Sequence, residues 1–154
     1  MIADTSYAEV RRRLAAAPEK VFAMFSKAEL VRRWLTPSPE IRLTVLQFDF
    51  REGGSYRFAY HVPGANTVIV AGSYSMIKPP SKIVFSWVIE PPDEHAGIES
   101  EVSVAITRDG SGSELVIRHA KFGRIDAIDR HAAGWRGAAD QLTEMLDQEE
   151  QHGH

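Results

Sequence analysis

Apolar and polar residues alternate with a period of two through most of the middle of the chain, the pattern of strands with one covered face. Tyr56, Phe58 and Tyr60 alternate with Arg57, Ala59 and His61. Ile83, Phe85, Trp87 and Ile89 share one parity, as do Ile98, Ser100, Val102, Val104 and Ile106, and then Leu115, Ile117 and His119. The stretch "RLTVLQFDF" ends with Leu46, Phe48 and Phe50 on one face. "TVIVAGSYSMI" reads as a strand in which Gly72 marks a bulge or a close backbone approach; a bulge there would turn Tyr74 outward. The segments "REGG", "PGAN", "KPPSK", "PPDEHAG" and "RDGSGS" supply turns between these runs. Upstream, "YAEVRRRL" places Ala8, Val10 and Arg12 on one parity and predicts a first strand. "APEKVFAMFS" predicts a helix opened by Pro18, with Val21, Phe22 and Phe25 on one face. A second short helix is expected from Lys27 to Trp34, closed by the prolines of "TPSPE".

The last element has a different period. From Arg124 to Gln148 the apolar stripe Ile128, Ala132, Trp135, Ala139, Leu142 and Leu146 is spaced by fours and threes, as on one face of a helix. The resulting order is a strand, two short helices, about six strands joined by turns and one long helix, which implies an antiparallel meander. Only the C-terminal helix is long enough to cover its apolar face. No repeat or linker breaks the pattern, so residues 1–148 are expected to form one α+β domain and residues 149–154 a frayed polar tail. The helix carries Gly134 and Gly137 in its interior, each costing about 1 kcal/mol relative to Ala. Gly134 flanks the stripe and would let a neighbouring element approach; Gly137 points to the opposite side, where it would either simply weaken the helix or admit a partner chain. A curved aromatic sheet facing a helix of small residues can enclose a cavity, or its rings can fill the space.

The motifs "RRLAAAPEKVFAMFSKAELVRRWL", "FDFREGGSYRF", "GSYSMIKPPSKIVFSW" and "HAAGWRGAADQL", in that order, cover nearly the whole chain. They carry Pro18, Val21 and Trp34; Asp49, Arg51, Gly53, Gly54 and Tyr56; and His131, Gly134 and Trp135. Together they resemble the SRPBCC/START superfamily, and within it the family named after the activator of the heat-shock protein 90 ATPase. The resemblance implies a helix-grip fold, a curved antiparallel sheet wrapped around a long C-terminal helix. Phe22 and Phe25 stand where that family often carries tryptophan, which would alter pocket shape. The superfamily includes lipid and hormone binders, aromatase/cyclases and chaperone regulators, so the resemblance does not choose a function. Its eukaryotic activators add a chaperone-binding N-terminal domain, for which this sequence has no room; chaperone activation is not expected.

Composition narrows the chemistry. A net charge of −3 gives no reason to expect nucleic-acid binding. The absence of cysteine excludes disulfides, thiolate nucleophiles and cysteine-bound zinc, and fits a reducing cytoplasm. No apolar run reaches the roughly 20 residues of a membrane span, and the N-terminus lacks a signal-peptide core. The spacings of common helical zinc sites, a phosphate loop and a nucleophile elbow are absent, so no metal or cofactor is expected, metal binding by His119, His131 and a carboxylate being the less favoured alternative to acid–base use. His119 at the end of the last strand and His131 one turn before Trp135 are the candidate acid–base residues, with Asp129 the nearest carboxylate on the helix. Asp49 and Arg51 are expected to form a structural ion pair, and Arg11 and Arg13 a solvated face. The expected ligand wall is Tyr56, Phe58, Tyr60, Tyr74, Phe85, Trp87 and His119 from the sheet, with His131, Trp135 and Ala139 from the helix. Such a wall suits a small, flat, apolar or aromatic molecule held without catalysis. The alternatives are a cyclase, dehydratase or hydrolase using a pocket histidine, and a protein-interaction module with a filled core. A symmetric homodimer is the expected assembly, with Glu99 and Glu101 guarding against open-ended strand pairing.

Overall fold

The computed structural model describes residues 7–91, 93, 96–121 and 125–152, except the side chains of 125, 126 and 149–152. The element order is β1 (Tyr7–Leu14), α1 (Pro18–Ser26), α2 (Ala28–Trp34), β2 (Arg42–Phe48), β3 (Ser55–His61), β4 (Val68–Lys78), β5 (Lys82–Ile89), β6 (Glu99–Asp109), β7 (Gly112–Ala120) and α3 (Ile125–His152). The predicted helix start at Arg124, the predicted strand end at Phe122 and the last two residues of the predicted tail lie outside the described residues. The strands form one seven-stranded antiparallel sheet in the order β1-β7-β6-β5-β4-β3-β2. This is the helix-grip architecture: the meander curls around α3, and α1 and α2 close one end.

Alternation sets the core. On β6 and β7, Val102, Val104, Leu115 and His119 are fully buried, and Ser100, Ile106 and Ile117 nearly so. Their neighbours in sequence carry a ladder of ion pairs on the outer face of β1 and β7, Arg11 and Arg118 both pairing with Glu9. Arg13 pairs with Asp109 and Arg51 with Asp49, as charged residues on a solvated face do. Along α3 four residues of the predicted stripe are buried, Trp135, Ala139, Leu142 and Leu146 at no more than 5% exposed, while Ile128 and Ala132 are half-buried. The helix packs closely on β1 and β7 and stands off from β3 and β4.

Two features depart from simple alternation. β2 carries a bulge at Leu46, where the pairing with β3 shifts between Val45 and Gln47. The extra residue turns Leu46 out to solvent, 47% exposed, and returns Phe48 and Phe50 to the inner side. Gly72 is not a bulge. It is the close approach: a Cβ there would sit 2.0 Å from the Ser86 carbonyl oxygen and 2.8 Å from the Tyr56 ring. The β4 bulge falls one turn of the pleat later, between Tyr74 and Met76, so Tyr74 stays inside at 5% exposure.

Glu99, Glu101 and Gly137 sit differently from their expected places. β6 lies between β5 and β7, so its backbone is paired and Glu99 and Glu101 guard no edge; the edges are β1 and β2. The space beside Gly137 is occupied by this chain's own Pro37, whose carbonyl oxygen would lie 1.9 Å from a Cβ at that position. Gly134 meets the same proline more loosely, at 3.8 Å. The two helix glycines therefore seat the segment that follows α2.

Candidate functional site

The concave face of the sheet divides into a filled half and an open half. In the filled half, Tyr56, Phe58, Tyr74 and Phe85 interlock with Phe48 and Phe50, ring centroids 4.6–6.4 Å apart. Phe22 of α1 closes the cluster against Phe50. The Tyr56 hydroxyl donates to the Ser86 carbonyl at 2.7 Å, and burial pushes its pKa well up. These four aromatic residues of the expected ligand wall are thus core.

The open half lies where α3 stands off from the sheet. Here a cavity of about 420 Å³ is lined by Tyr60, Val62, Val68, Val70, Trp87 and Ile89 from the sheet side. α3 contributes Arg130, His131, Ala133, Gly134, Trp135 and Ala138. The segment after α2 supplies the remaining wall with Leu35, Thr36, Pro37 and Ile41. The sizes explain the space: Ala133, Gly134 and Ala138 leave little side chain between helix and sheet. The post-α2 wall is held in place by the Gly137–Pro37 approach and by Gln141, whose Nε2 donates to the Thr36 carbonyl at 2.8 Å and to Thr36 Oγ1 at 3.1 Å. Thr36 Oγ1 in turn donates to the Ser38 carbonyl.

Of the residues expected to contact a ligand, the structure brings Tyr60, Trp87, His131 and Trp135 to the cavity. Tyr56, Phe58, Tyr74, Phe85, His119 and Ala139 do not line it. Ala139 faces the packed side of α3 at 0% exposure, and its neighbour Ala138 takes the cavity position. The reading missed Val68, Val70 and Ile89, whose inward alternation was available. It also missed the Leu35–Pro37 wall, for which "TPSPE" signalled only a helix stop.

His119 is a structural hub. Trp135 Nε1 donates to His119 Nδ1 at 2.9 Å, so Nδ1 must accept. The neutral ring then carries its proton on Nε2, which donates to Ser100 Oγ at 2.7 Å. Ser100 passes its own hydrogen to the Trp87 carbonyl at 3.0 Å. Burial, with a smaller contribution from nearby His131, pushes the His119 pKa down to about 2. A ring engaged at both nitrogens and held neutral positions the two tryptophans; it is poorly suited to move protons.

His131 stands at the cavity wall, its ring 4.7 Å from that of His119 and 6.2 Å from that of Trp87. Its Nδ1 is 2.8 Å from the Ala127 carbonyl, which can only accept, so that nitrogen carries the proton. Asp129 is exposed and away from the cavity. At the rim, Arg130 makes a two-pronged ion pair with Asp93, at 2.9 and 2.8 Å. Two polar groups of the wall contrast with these. The buried Trp87 Nε1–H has no hydrogen-bond partner among the described residues. Tyr60, 7% exposed, makes no hydrogen bond through its hydroxyl to any described residue, and that hydroxyl is not sealed off from the cavity.

Among the described residues, no cluster of His, Asp or Glu is arranged to hold a metal ion, and no helix is long and apolar enough to cross a membrane. No curated protein matches the sequence. Solved structures do share the fold. The AHSA1 protein from Silicibacter pomeroyi is 24% identical, with 94% of this chain and 99% of that chain covered and a TM-score of 0.81. A protein from Rhodobacter sphaeroides is 22% identical, covering 96% of this chain and 97% of its own, with a TM-score of 0.79. A protein from Chromobacterium violaceum is 20% identical, with 92% and 97% covered and a TM-score of 0.78. The family model described as activator of Hsp90 ATPase homolog 1-like protein matches residues 15–147. Taken with the curved sheet, the two early helices and the gripping α3, that match establishes that the chain belongs to the activator of Hsp90 ATPase homolog 1-like family.

Proposed function

We propose that this protein binds a small apolar or aromatic molecule between β3–β5 and α3, without catalysing a reaction on it. One observation carries the reading: a cavity of about 420 Å³, within the size range of ligand pockets, lies beside a large buried hydrophobic core. Its lining is mostly aliphatic and aromatic, and the few polar groups are spaced as orientation contacts. The engagement of His119 at both nitrogens argues against its use as a catalytic base. A reducing cytoplasmic setting is in keeping with the absence of cysteine.

Native mass spectrometry of protein taken directly from expressing cells tests the reading. An adduct that is released on denaturation, and that is lost when Ala138→Phe fills the cavity, supports it. Failure to retain any adduct, together with failure to take up 2-acetylnaphthalene near its solubility limit, contradicts it.

A further inference from the structure

The polar groups of the cavity wall bear on what kind of molecule the cavity selects. They sort by whether the protein already satisfies them. Thr36 Oγ1 donates to the Ser38 carbonyl and accepts from Gln141. His131 Nδ1 is engaged by the Ala127 carbonyl. Arg130, the only charged residue of the described lining, is met on two nitrogens by the carboxylate of Asp93. Among the described residues no carboxylate lines the cavity, and the one cation there is already matched by an anion. A charged ligand group would therefore enter an apolar space without a dedicated counter-charge, which is costly.

Tyr60 is different. It projects from the inward face of β3, its neighbours along the wall are Val62, Val68 and Val70, and no described residue accepts or donates at its hydroxyl. Burial raises its pKa far above the ordinary tyrosine range, with a smaller contribution from Tyr74, so the hydroxyl stays protonated and available as a donor. A hydroxyl that can be reached from the cavity and has no protein acceptor is free to donate to an acceptor placed there. Trp87 Nε1–H, also unpartnered, belongs to the same wall.

Resting on the proposal that the cavity binds a small molecule, we infer that its ligand class is a neutral, flat, apolar molecule bearing a carbonyl or ether oxygen that accepts a hydrogen bond from Tyr60. The hydroxyl of Tyr60 is the specificity determinant. It separates oxygen-bearing ligands from hydrocarbons of the same shape, while the missing counter-charge excludes anions. At interior packing density the cavity holds a molecule of roughly 20 non-hydrogen atoms at most, which admits two or three fused rings with short substituents.

Three probes of one shape test this: 2-acetylnaphthalene, with a ketone oxygen; 2-isopropenylnaphthalene, in which a methylene replaces that oxygen; and 2-naphthoate, which is anionic. Affinities are measured by tryptophan fluorescence and calorimetry on the full chain and on Tyr60→Phe. Because the Tyr60 hydroxyl bonds to no described residue, the variant should keep the wild-type unfolding curve. The expected result is that Tyr60→Phe weakens the ketone by about three- to tenfold, the effect of one neutral hydrogen bond, and changes the hydrocarbon by less than about twofold. 2-Naphthoate should bind the wild-type chain at least about tenfold more weakly than the ketone. An equal effect of Tyr60→Phe on ketone and hydrocarbon overturns the role of Tyr60 while leaving the binding function intact. Naphthoate binding as tightly as the ketone overturns the neutral class. If neither neutral probe binds, the proposed function itself fails, and this inference with it.

Discussion

The paired glycines of α3 permit a test in which one chemical change has opposite signs three residues apart. Gly→Ala in a helix interior is worth about 1 kcal/mol of added stability from helix propensity alone. At Gly134 the new Cβ would meet Pro37 Cβ at 3.8 Å and Cγ at 3.9 Å, ordinary contact distances. Gly134→Ala should therefore stabilise by about 0.5–1 kcal/mol, with its methyl trimming the cavity. At Gly137 the new Cβ would lie 1.9 Å from the Pro37 carbonyl oxygen and 2.8 Å from its carbon. Both atoms are backbone, so the post-α2 segment must retreat by about 1 Å or more to restore contact distance. Overpacking of this kind costs about 1–3 kcal/mol. The same retreat stretches both hydrogen bonds from Gln141 to Thr36, each worth about 1 kcal/mol. After the propensity gain is set against these, Gly137→Ala should destabilise by about 1–3 kcal/mol. Urea unfolding followed by circular dichroism gives both values from the midpoint shift at constant slope. A Gly137→Ala protein as stable as the wild type, or a Gly134→Ala protein less stable by more than about 1 kcal/mol, would refute the assignment of Pro37 as the reason for the glycines.

Other expectations follow from the same structure. Trp135→Phe removes the donor to His119 Nδ1 and some buried ring volume, and should cost about 2–4 kcal/mol in urea unfolding; a cost below about 0.5 kcal/mol would mean that the bond contributes nothing. His119 should remain neutral, with its proton on Nε2, at pH 5 by nitrogen NMR of the imidazole, and a titration near pH 6.5 would contradict its burial. The sign of the linked stability follows: the folded pKa is depressed, the unfolded chain takes up the proton first, and stability falls as pH drops below 6.5, by about 2 kcal/mol between pH 7 and pH 5 from this group. Leu46→Ser at the exposed β2 bulge should change stability by no more than about 0.5 kcal/mol, whereas a loss above 1 kcal/mol would place that side chain in the core.

Much of the architecture was legible because it is written in local periods. The alternation of "IVFSWVIE" places Ile83, Phe85, Trp87 and Ile89 inside, and the fours and threes of α3 place Trp135, Leu142 and Leu146 inside, as the structure shows. Parity fails wherever one residue is added to a strand, and nothing in "RLTVLQF" announces that Leu46 is the added one. The site was legible only in part for a different reason. Tyr56 and Tyr60 share a parity, yet one packs into an aromatic cluster and the other faces a cavity. What separates them is where α3 stands off from the sheet and where Phe22 comes to lie, both long-range matters. The wall made by Leu35–Pro37 depends on contacts with Gly137 and Gln141, about a hundred positions away in sequence, a separation that local pattern reading does not span.

A ligand cavity between β3–β5 and α3 is open to a direct test by methyl NMR of the full chain titrated with 2-acetylnaphthalene. Saturable shifts, and contacts from the probe's ring protons, should concentrate at Ile41, Val68, Val70, Ile89 and Ala138. The methyls of Val10 and Ile117, in the packed half beneath α3, should stay in place. Shifts that are absent at saturating probe, or that map to the outer face of the sheet, would contradict it.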